Sequence, residues 1–566
     1  MKHRWQLASR DEERVRRLAG EHAISPLLAQ CLINRELTDS EVGHFLLPRL
    51  KDLADPFLLP DMAVAVDRLV LARQQGEALV IFGDYDVDGV TSTTILLETF
   101  AALGLRASAY LPHRVDEGYG LSADGVENCL TAHPVSLLLA VDCGSTSTET
   151  ITRLKERGVE VIVLDHHQVS DPPPPALALV NPQRGDRFQE LCSAGLAFKL
   201  AHALVKRGRD LNWPAAEAFD VRNLLDLAAL GTIADIVPLR NENRILVSAG
   251  LPRLSATRRP GLIALKEVAQ CGESIGVYEV GFQLGPRLNA AGRLETATEA
   301  LDLLTATDAR KATSLAAELD ARNRERQTIE RDITDTVLND FKSRFDSDRD
   351  FALVAGNADW HIGVVGIVAS RVVREFYRPA FVIGGEGLEW RGSGRSVVGF
   401  DLAAALRECD DLLARHGGHA MAAGLSIDPG KVDAFRERLN EIARRELTAE
   451  ALIPPLRLDA EVAIGDLTET TLRELEKLQP CGQGNPTVQV VVPGLKLSGT
   501  PRTIGKAANH LLLQFTDGVG RIDAVWWNAA DQPLPQGPCD IACVPEINEY
   551  RSRRSVRLKI LDWRSA

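Results

Sequence analysis

Three apolar runs in the first third of the chain each end in acid. ALVIF from Ala78 leads into Gly83-Asp84-Tyr85-Asp86-Val87-Asp88-Gly89, LLLAV leads into Asp142-Cys143-Gly144, and VEVIVL leads into Asp165-His166-His167. The first is followed by TSTTILLETFAALG, which reads as a helix, and Gly144-Ser145 opens another helical stretch through Leu154. Continuous apolar strands separated by helices predict a parallel sheet covered on both faces. In an open parallel sheet, ligands collect beyond the carboxyl ends of the strands. The carboxylates of Asp84, Asp86, Asp88, Asp142 and Asp165 and the imidazoles of His166 and His167 would then crowd one edge. Close like charges repel, and the usual relief is a bound cation. Carboxylates with imidazole suit Mn²⁺ or Mg²⁺, and two such ions side by side are the usual apparatus for phosphodiester hydrolysis.

Each piece alone has a plainer reading. Asp84-x-Asp86-x-Asp88-Gly89 opens like a calcium-binding loop, but the twelfth position is Ile95 and an apolar strand stands where that loop needs a helix. A lone Asp142 would serve as a helix cap, and a lone His166-His167 pair as structural or surface histidines. The coincidence of all three strand ends on one edge favours a metal site. A fourth element, from Asn223 to Leu239, is nearly all apolar apart from Asp226, Thr232 and Asp235. A buried carboxylate needs a partner. A metal is the expectation for Asp226, while Asp235 is left between a ligand, a cap and an arginine partner.

Residues 306–345 contain neither Gly nor Pro, and Leu315, Leu319, Ile329, Ile333 and Val337 recur mostly at helical spacing, which predicts one long connecting helix. A second α/β unit starts at FALVAG, and beyond Pro454-Pro455 five short strands with turns between them suggest a small β-barrel, an OB-fold. The expected division is an N-terminal helical segment over 1–60, a parallel-sheet α/β unit over 61–305, the connecting helix over 306–345, the second α/β unit over 346–450 and the barrel over 455–566. The nine cysteines are scattered without a C-x-x-C pair, so reduced thiols in a cytoplasmic protein are expected rather than disulfides or zinc. No apolar run reaches membrane-spanning length, and no signal segment opens the chain. The net charge of −13 decides nothing, because phosphate affinity depends on local basic surface.

The segments DYDVDG, VDCG, LDHH and LAALGTIADIVPL resemble the four motifs of the DHH phosphoesterase superfamily. GPRLNAAGR (285–293), WHIGVVGIVASR (360–371), SGRS (393–396), GGHAMAAG (417–424) and PCGQGNP (480–486) are similar, in order, to its RecJ single-strand exonuclease branch. The resemblance implies a DHH catalytic domain, a DHHA1 substrate domain and an OB-fold. It implies a monomeric, two-metal 5′→3′ exonuclease that degrades single-stranded DNA to mononucleotides in repair and recombination, alongside a single-strand-binding protein and a helicase. Asp88, Asp142, His166 and Asp226 would hold one Mn²⁺ or Mg²⁺ ion, and Asp86 and Asp142 the other. Asp84 would ligate directly or through water, and His167 would contact the scissile phosphate. Arg114, Arg287, Ser393 and Arg395, with the Gly417-Gly418-His419 loop, would bind the terminal phosphate, Arg293 competing with Arg287 for that role. Trp526, Arg551 and Arg553 of the barrel would contact the strand, since aromatics beside cations suit single-strand binding. Tandem Trp526-Trp527 on one strand must face opposite ways, so one of them is core. Relatives usually carry Pro-Phe-Gly where this chain has Pro480-Cys481-Gly482. The competing reading within the superfamily is a phosphoesterase of small substrates such as cyclic dinucleotides, pyrophosphate or short oligoribonucleotides.

Overall fold

The computed structural model describes residues 3–113, 117–118, 120–294, 297–550 and 553–566, with backbone alone at 293, 294, 550 and 553. The first α/β unit is a five-stranded sheet in the order Arg106–Tyr110, Ala78–Gly83, Leu137–Val141, Glu160–Leu164, Ala178–Val180, with every pairing parallel. The chain leaves Ala78–Gly83 toward one edge and returns on its other side as Leu137–Val141, so the strand order reverses between these two neighbours. That switch point opens a crevice at the carboxyl ends. Leu137–Val141 is buried throughout, as expected of a strand covered on both faces.

The long helix is Ala309–Arg344, which spans about 54 Å at 1.5 Å per residue. Asp308 caps it, accepting a hydrogen bond from Lys311 N at 2.8 Å. Ala312, Ala316 and Leu319 belong to the core of the first unit, whereas Ile333, Val337 and Phe341 pack into the second. Between these apolar anchors the buried face is polar: Asp320, Asn323, Arg326 and Glu330. The second unit is a mixed sheet in the order Leu413–Gly418, Ala422–Ile427, Trp390–Arg395, Ala380–Gly384, Leu353–Asn357, parallel only between the last two.

The C-terminal strands close a barrel. Val490–Leu497 pairs with both Cys539–Tyr550 and His510–Thr516, and the circuit is completed through Arg553–Ser565 and Arg521–Trp526. Its core also takes in Val15, Leu18, Leu28 and Leu32 from the N-terminal helices Glu12–His22 and Pro26–Asn34, and Arg4–Leu7 pairs with Pro455–Leu458. The two ends of the chain therefore fold as one body. All nine cysteines are free thiols, and no described helix is long and apolar enough to cross a membrane.

Buried Arg244 ties this body to the first unit. Its guanidinium donates to the carbonyls of Phe45 (2.8 Å), Leu478 (2.9 Å), Lys477 (2.9 Å) and Gln479 (2.8 Å), and lies 3.9 Å from the Phe45 ring centroid. Arg240 Nε donates to Gly484 O at 2.7 Å, and Arg35 Nε to Asn485 Oδ1 at 2.6 Å. The 480–486 segment is thus a docking loop, and the small Cys481 in it is half-buried against the barrel core. Hydrogen bonds to a charged group contribute about 1.5–3 kcal/mol each without simple additivity. Arg244→Met, which keeps bulk and removes every donor, should cost on the order of 3 kcal/mol or more. The check is a lowered melting temperature together with faster amide exchange across 477–486, at unchanged Mn²⁺ affinity.

Candidate metal centre

The loop after the first strand is built by its own side chains. Asp86 caps the helix Val87–Leu103, its Oδ1 accepting from the backbone N–H of Asp88 (2.8 Å) and Gly89 (3.1 Å). Gly89 has no alternative, since a Cβ there would fall 2.4 Å from Asp84 O. Asp88 is buried and held by the first turn of Ser193–Asp210, with Ser193 N donating at 2.7 Å and Ala194 N at 2.8 Å. A helix N-terminus is a natural counterpart for a carboxylate. Ser193 Oγ donates to Asp142 Oδ1 at 2.9 Å. Asp142 itself sits at φ +63°, a conformation uncommon outside glycine and concentrated at functional sites.

Among the described residues, three groups of side chains bring ligand atoms within 4.8 Å of one another: Asp84, Asp86 and Asp142; Asp88, His166 and Asp235; and Asp142, His166 and His167. His166 Nε2 lies 3.4 Å from Asp142 Oδ1, 3.6 Å from Asp235 Oδ2 and 3.9 Å from Asp88 Oδ2. His166 Nε2 and Asp235 Oδ2 are both buried and make no hydrogen bond. Ligands about 2.0–2.2 Å from one ion stand roughly 3–3.6 Å apart, so this spacing fits a cation better than it fits direct hydrogen bonds. Burial, then the charges of Asp88 and Asp86, pushes Asp235 up to about 9. Burial and the same neighbours raise Asp142 well above the usual carboxylate range. Burial, with the charge of His167, lowers His166 to about 4, which keeps it neutral and able to ligate. A dication would reverse the penalty on the acids.

Asp226, expected as a ligand, is not in this cluster. Its Oδ2 accepts from Arg259 Nε at 2.9 Å and Thr257 Oγ1 at 3.0 Å. Asp226 and Asp235 lie nine residues apart around the helix Leu225–Ala234, about two and a half turns, so they face opposite ways. The inward face is set by Gly231, where a Cβ would fall 2.3 Å from Thr91 Oγ1 and 2.5 Å from Ala194 Cβ. Asp235 at the helix end therefore takes the position expected of Asp226.

Asp165 is an organiser. It accepts from Ser145 N (3.0 Å), His166 N (2.8 Å) and His167 Nδ1 (2.8 Å). Burial works against a charged His167, yet the Asp165 carboxylate outweighs it and raises the imidazole to about 9. Asn181 Nδ2 fixes the same turn through His167 O at 2.8 Å. From the other side, Asn289 Oδ1 accepts from Val87 N at 3.1 Å. Ser193, Asn289 and Asn181 were not singled out from the sequence. Only Ser193 left a trace there, a small hydroxyl residue opening a long helix.

Family sequence patterns match in three places: the DHH family, N-terminal domain, over 78–232; the DHHA1 domain over 350–445; and the RecJ OB domain over 458–562. The single-stranded-DNA-specific exonuclease RecJ of Bacillus subtilis is 38% identical over 99% of this chain and 71% of its own length. The chain belongs to the RecJ family. Two crystal structures of Thermus thermophilus RecJ share this family fold. The Mn²⁺ complex has a TM-score of 0.86 at 32% identity, covering 100% of this chain and 80% of that one. The Mg²⁺ complex has a TM-score of 0.79 at 30% identity, covering 100% and 79%.

In the second α/β unit, where the sequence places substrate-binding residues, Ser393 and Arg395 share one face of the strand Trp390–Arg395, and Arg395 Nη1 donates to Ser393 Oγ at 3.0 Å. Arg395 has no carboxylate partner among the described residues, and burial lowers its pKa. The start of the helix Val365–Phe376 abuts the pair, a Cβ on Gly366 lying 2.9 Å from Ser393 Oγ. Ser393, Gly424 and Gly417 are in register across three strands, so backbone without side chains extends from the Ser393 row. Gly418 takes φ +134° beside the exposed His419. Arg287 differs from expectation, since Asp320 Oδ1 (2.9 Å) and Gln283 O (2.7 Å) engage its guanidinium. Arg114 and Arg551 lie outside the described residues, as do the side chains of Arg293 and Arg553.

In the barrel, Trp526 is 8% exposed and part of the core, which removes it as a DNA contact. Its neighbour Trp527 is 44% exposed and rests edge-on against His510 at 4.6 Å. Arg554 and Arg557 pair with Glu549 and Glu546.

The two acids of the Leu225–Asp235 region separate cleanly by experiment. Asp235→Asn should weaken Mn²⁺ binding at least tenfold by titration calorimetry, because it removes a buried ligand charge. Asp226→Asn should leave that affinity unchanged and instead lower the melting temperature, because Arg259 loses a buried partner.

Proposed function

We propose that this chain hydrolyses single-stranded DNA from its 5′ end, releasing mononucleotides, with two Mn²⁺ or Mg²⁺ ions held at the carboxyl edge of the parallel sheet. The observation that carries the reading is the pair of unbonded buried atoms, His166 Nε2 and Asp235 Oδ2, set among the carboxylates of Asp88 and Asp142. Asp88, Asp142, His166 and Asp235 would hold one ion and Asp84, Asp86 and Asp142 the other. Asp142, which lies 3.4 Å from His166 and is grouped with Asp84 and Asp86, would be shared by both sets. The ions supply Lewis acidity and lower the pKa of the attacking water. Relatives crystallised with Mn²⁺ and with Mg²⁺ support the choice of metals.

The chain's own residues do the rest. His167, held charged by Asp165, would stabilise the negative charge that develops on the phosphate. Arg395, Ser393 and the start of Val365–Phe376 supply donors for a terminal phosphate, and Gly417 and Gly424 let a strand approach the backbone closely. A terminal phosphate carries more charge than an internal one, so such a pocket distinguishes an end from a continuing chain. The barrel, with Trp527 exposed, suits the single strand that trails away. A small-substrate phosphoesterase would need neither the barrel nor the spanning helix. Single strands arise by strand separation, so a helicase and a single-strand-binding protein are the partners this reading calls for.

The test is digestion of 3′-labelled single strands carrying a 5′-phosphate or a 5′-hydroxyl, with Mn²⁺ or with EDTA. Wild-type protein should shorten them from the 5′ end only with metal, and Asp142→Ala should lose at least about a thousandfold in rate. Attack from the 3′ end, or metal-free turnover, would overturn the reading. In the same assay Arg395→Ala should narrow the preference for 5′-phosphate by about ten- to a hundredfold, the worth of one charge-assisted contact. An unchanged preference would remove Arg395 from the pocket.

A further inference from the structure

Two aromatic rings stand bare on the surface between the catalytic edge and the barrel. Tyr278 is 62% exposed and Phe282 71%, and their rings stack on one another at 5.1 Å with 29° between planes. Both lie in the run of helix that leads into Gly285–Leu294, and Phe282 is inside a π-helical turn, Val280–Leu284. Such turns are rare and are frequently found at functional sites. At one end of the run, Val277 is the neighbour of the docking loop, a Cβ on Gly482 lying 3.8 Å from its Cγ1. At the other end, a Cβ on Gly285 would lie 3.8 Å from Ala234 Cβ, one residue before Asp235. The helix that follows holds Asn289 against Val87 at the head of the catalytic loop. Ile236, directly after Asp235, is a further apolar side chain at 70% exposure.

The geometry points to a base-stacking platform: Tyr278 and Phe282 receive bases of the single strand as it passes from the metal edge toward the barrel. This rests on the reading of single-stranded DNA as substrate, and adds a contact that neither the metal centre nor the phosphate pocket provides. Three features favour a nucleobase over a protein partner. Two rings and one isoleucine offer far less than the roughly 800 Å² per side of a stable protein interface. Gly281 beside Phe282 has nothing within 4 Å of a Cβ position, so a flat base can slide along the backbone to the ring. The run also joins the two parts of the molecule that the strand must visit. The two rings are already in contact, so a base that extends the stack adds its own face to a surface that is partly formed, and every base has a face to offer.

The experiment uses the full-length protein carrying Asp142→Ala, so that DNA is bound and not cut, and 5′-phosphorylated oligonucleotides with one abasic residue moved stepwise along the strand. With the rings intact, an abasic residue at one or two adjacent positions should weaken binding about five- to a hundredfold. Phe282→Ala should weaken binding of normal DNA by a similar factor and become indifferent to the abasic residue at those same positions. Phe282→Trp should restore the sensitivity and Phe282→Leu should not. Normal affinity in Phe282→Ala, or a loss equal at every abasic position, would overturn the platform and return the rings to a protein partner or to packing. Failure of the ring-intact protein to bind single strands at all would sink the substrate reading and the platform with it.

Discussion

Four aspartates, Asp84, Asp88, Asp142 and Asp165, are at most 2% exposed along the carboxyl edge of one parallel sheet, and their mutual repulsion governs the chain around them. Three of them are answered by different means. The N-terminus of Ser193–Asp210 answers Asp88, the Ser193 hydroxyl answers Asp142, and the charged His167 answers Asp165. The helix ending at Asp235 brings one more acid into this crowd, where burial and the charges of Asp88 and Asp86 disfavour its ionised form and a bound cation would offset them. Elements distant in sequence are thereby committed to one point, and metal affinity becomes part of what holds them there.

The strand ends were legible because a fully covered parallel strand writes itself as an unbroken apolar run, and the acid that follows it can hardly lie anywhere else. The long helix was equally plain, lacking Gly and Pro and keeping its apolar spacing at both ends. Which acid of Asn223–Leu239 faces the metals was not legible. A helix buried on every side has no apolar face to orient it, so the choice fell to the close approach of Gly231 to Thr91 and Ala194. Alternation along a strand required Trp526 and Trp527 to part company, but only closure of the barrel decided which went inside. The partner of Arg287 was hidden for a related reason. That acid, Asp320, comes from the long helix, and no local pattern announces a partner 33 residues away.

The joining of the two ends of the chain was also hidden. The helices before residue 35 bury themselves against strands formed from residues beyond 490, and Arg35 and Arg244 gather carbonyl groups of the 477–486 segment. Long-range contacts of this kind are slow to form, since loop closure must precede any gain from burial. The arrangement seats the barrel on the catalytic unit by specific hydrogen bonds, so the direction from metal edge to barrel is a fixed property of the molecule.

The helix Ala309–Arg344 carries an arithmetic of its own. It is anchored at both ends in separate cores and polar between them, so its length works as a ruler between the acidic edge of the first unit and the Ser393-Arg395 face of the second. Each residue added or removed would move one unit about 1.5 Å along the axis and turn it by about 100°. A single insertion would swing that face away, whereas seven residues would come within about 20° of the original facing yet leave it some 10 Å too far. Substitutions on the exposed face of this helix are free to accumulate, but its residue count is not.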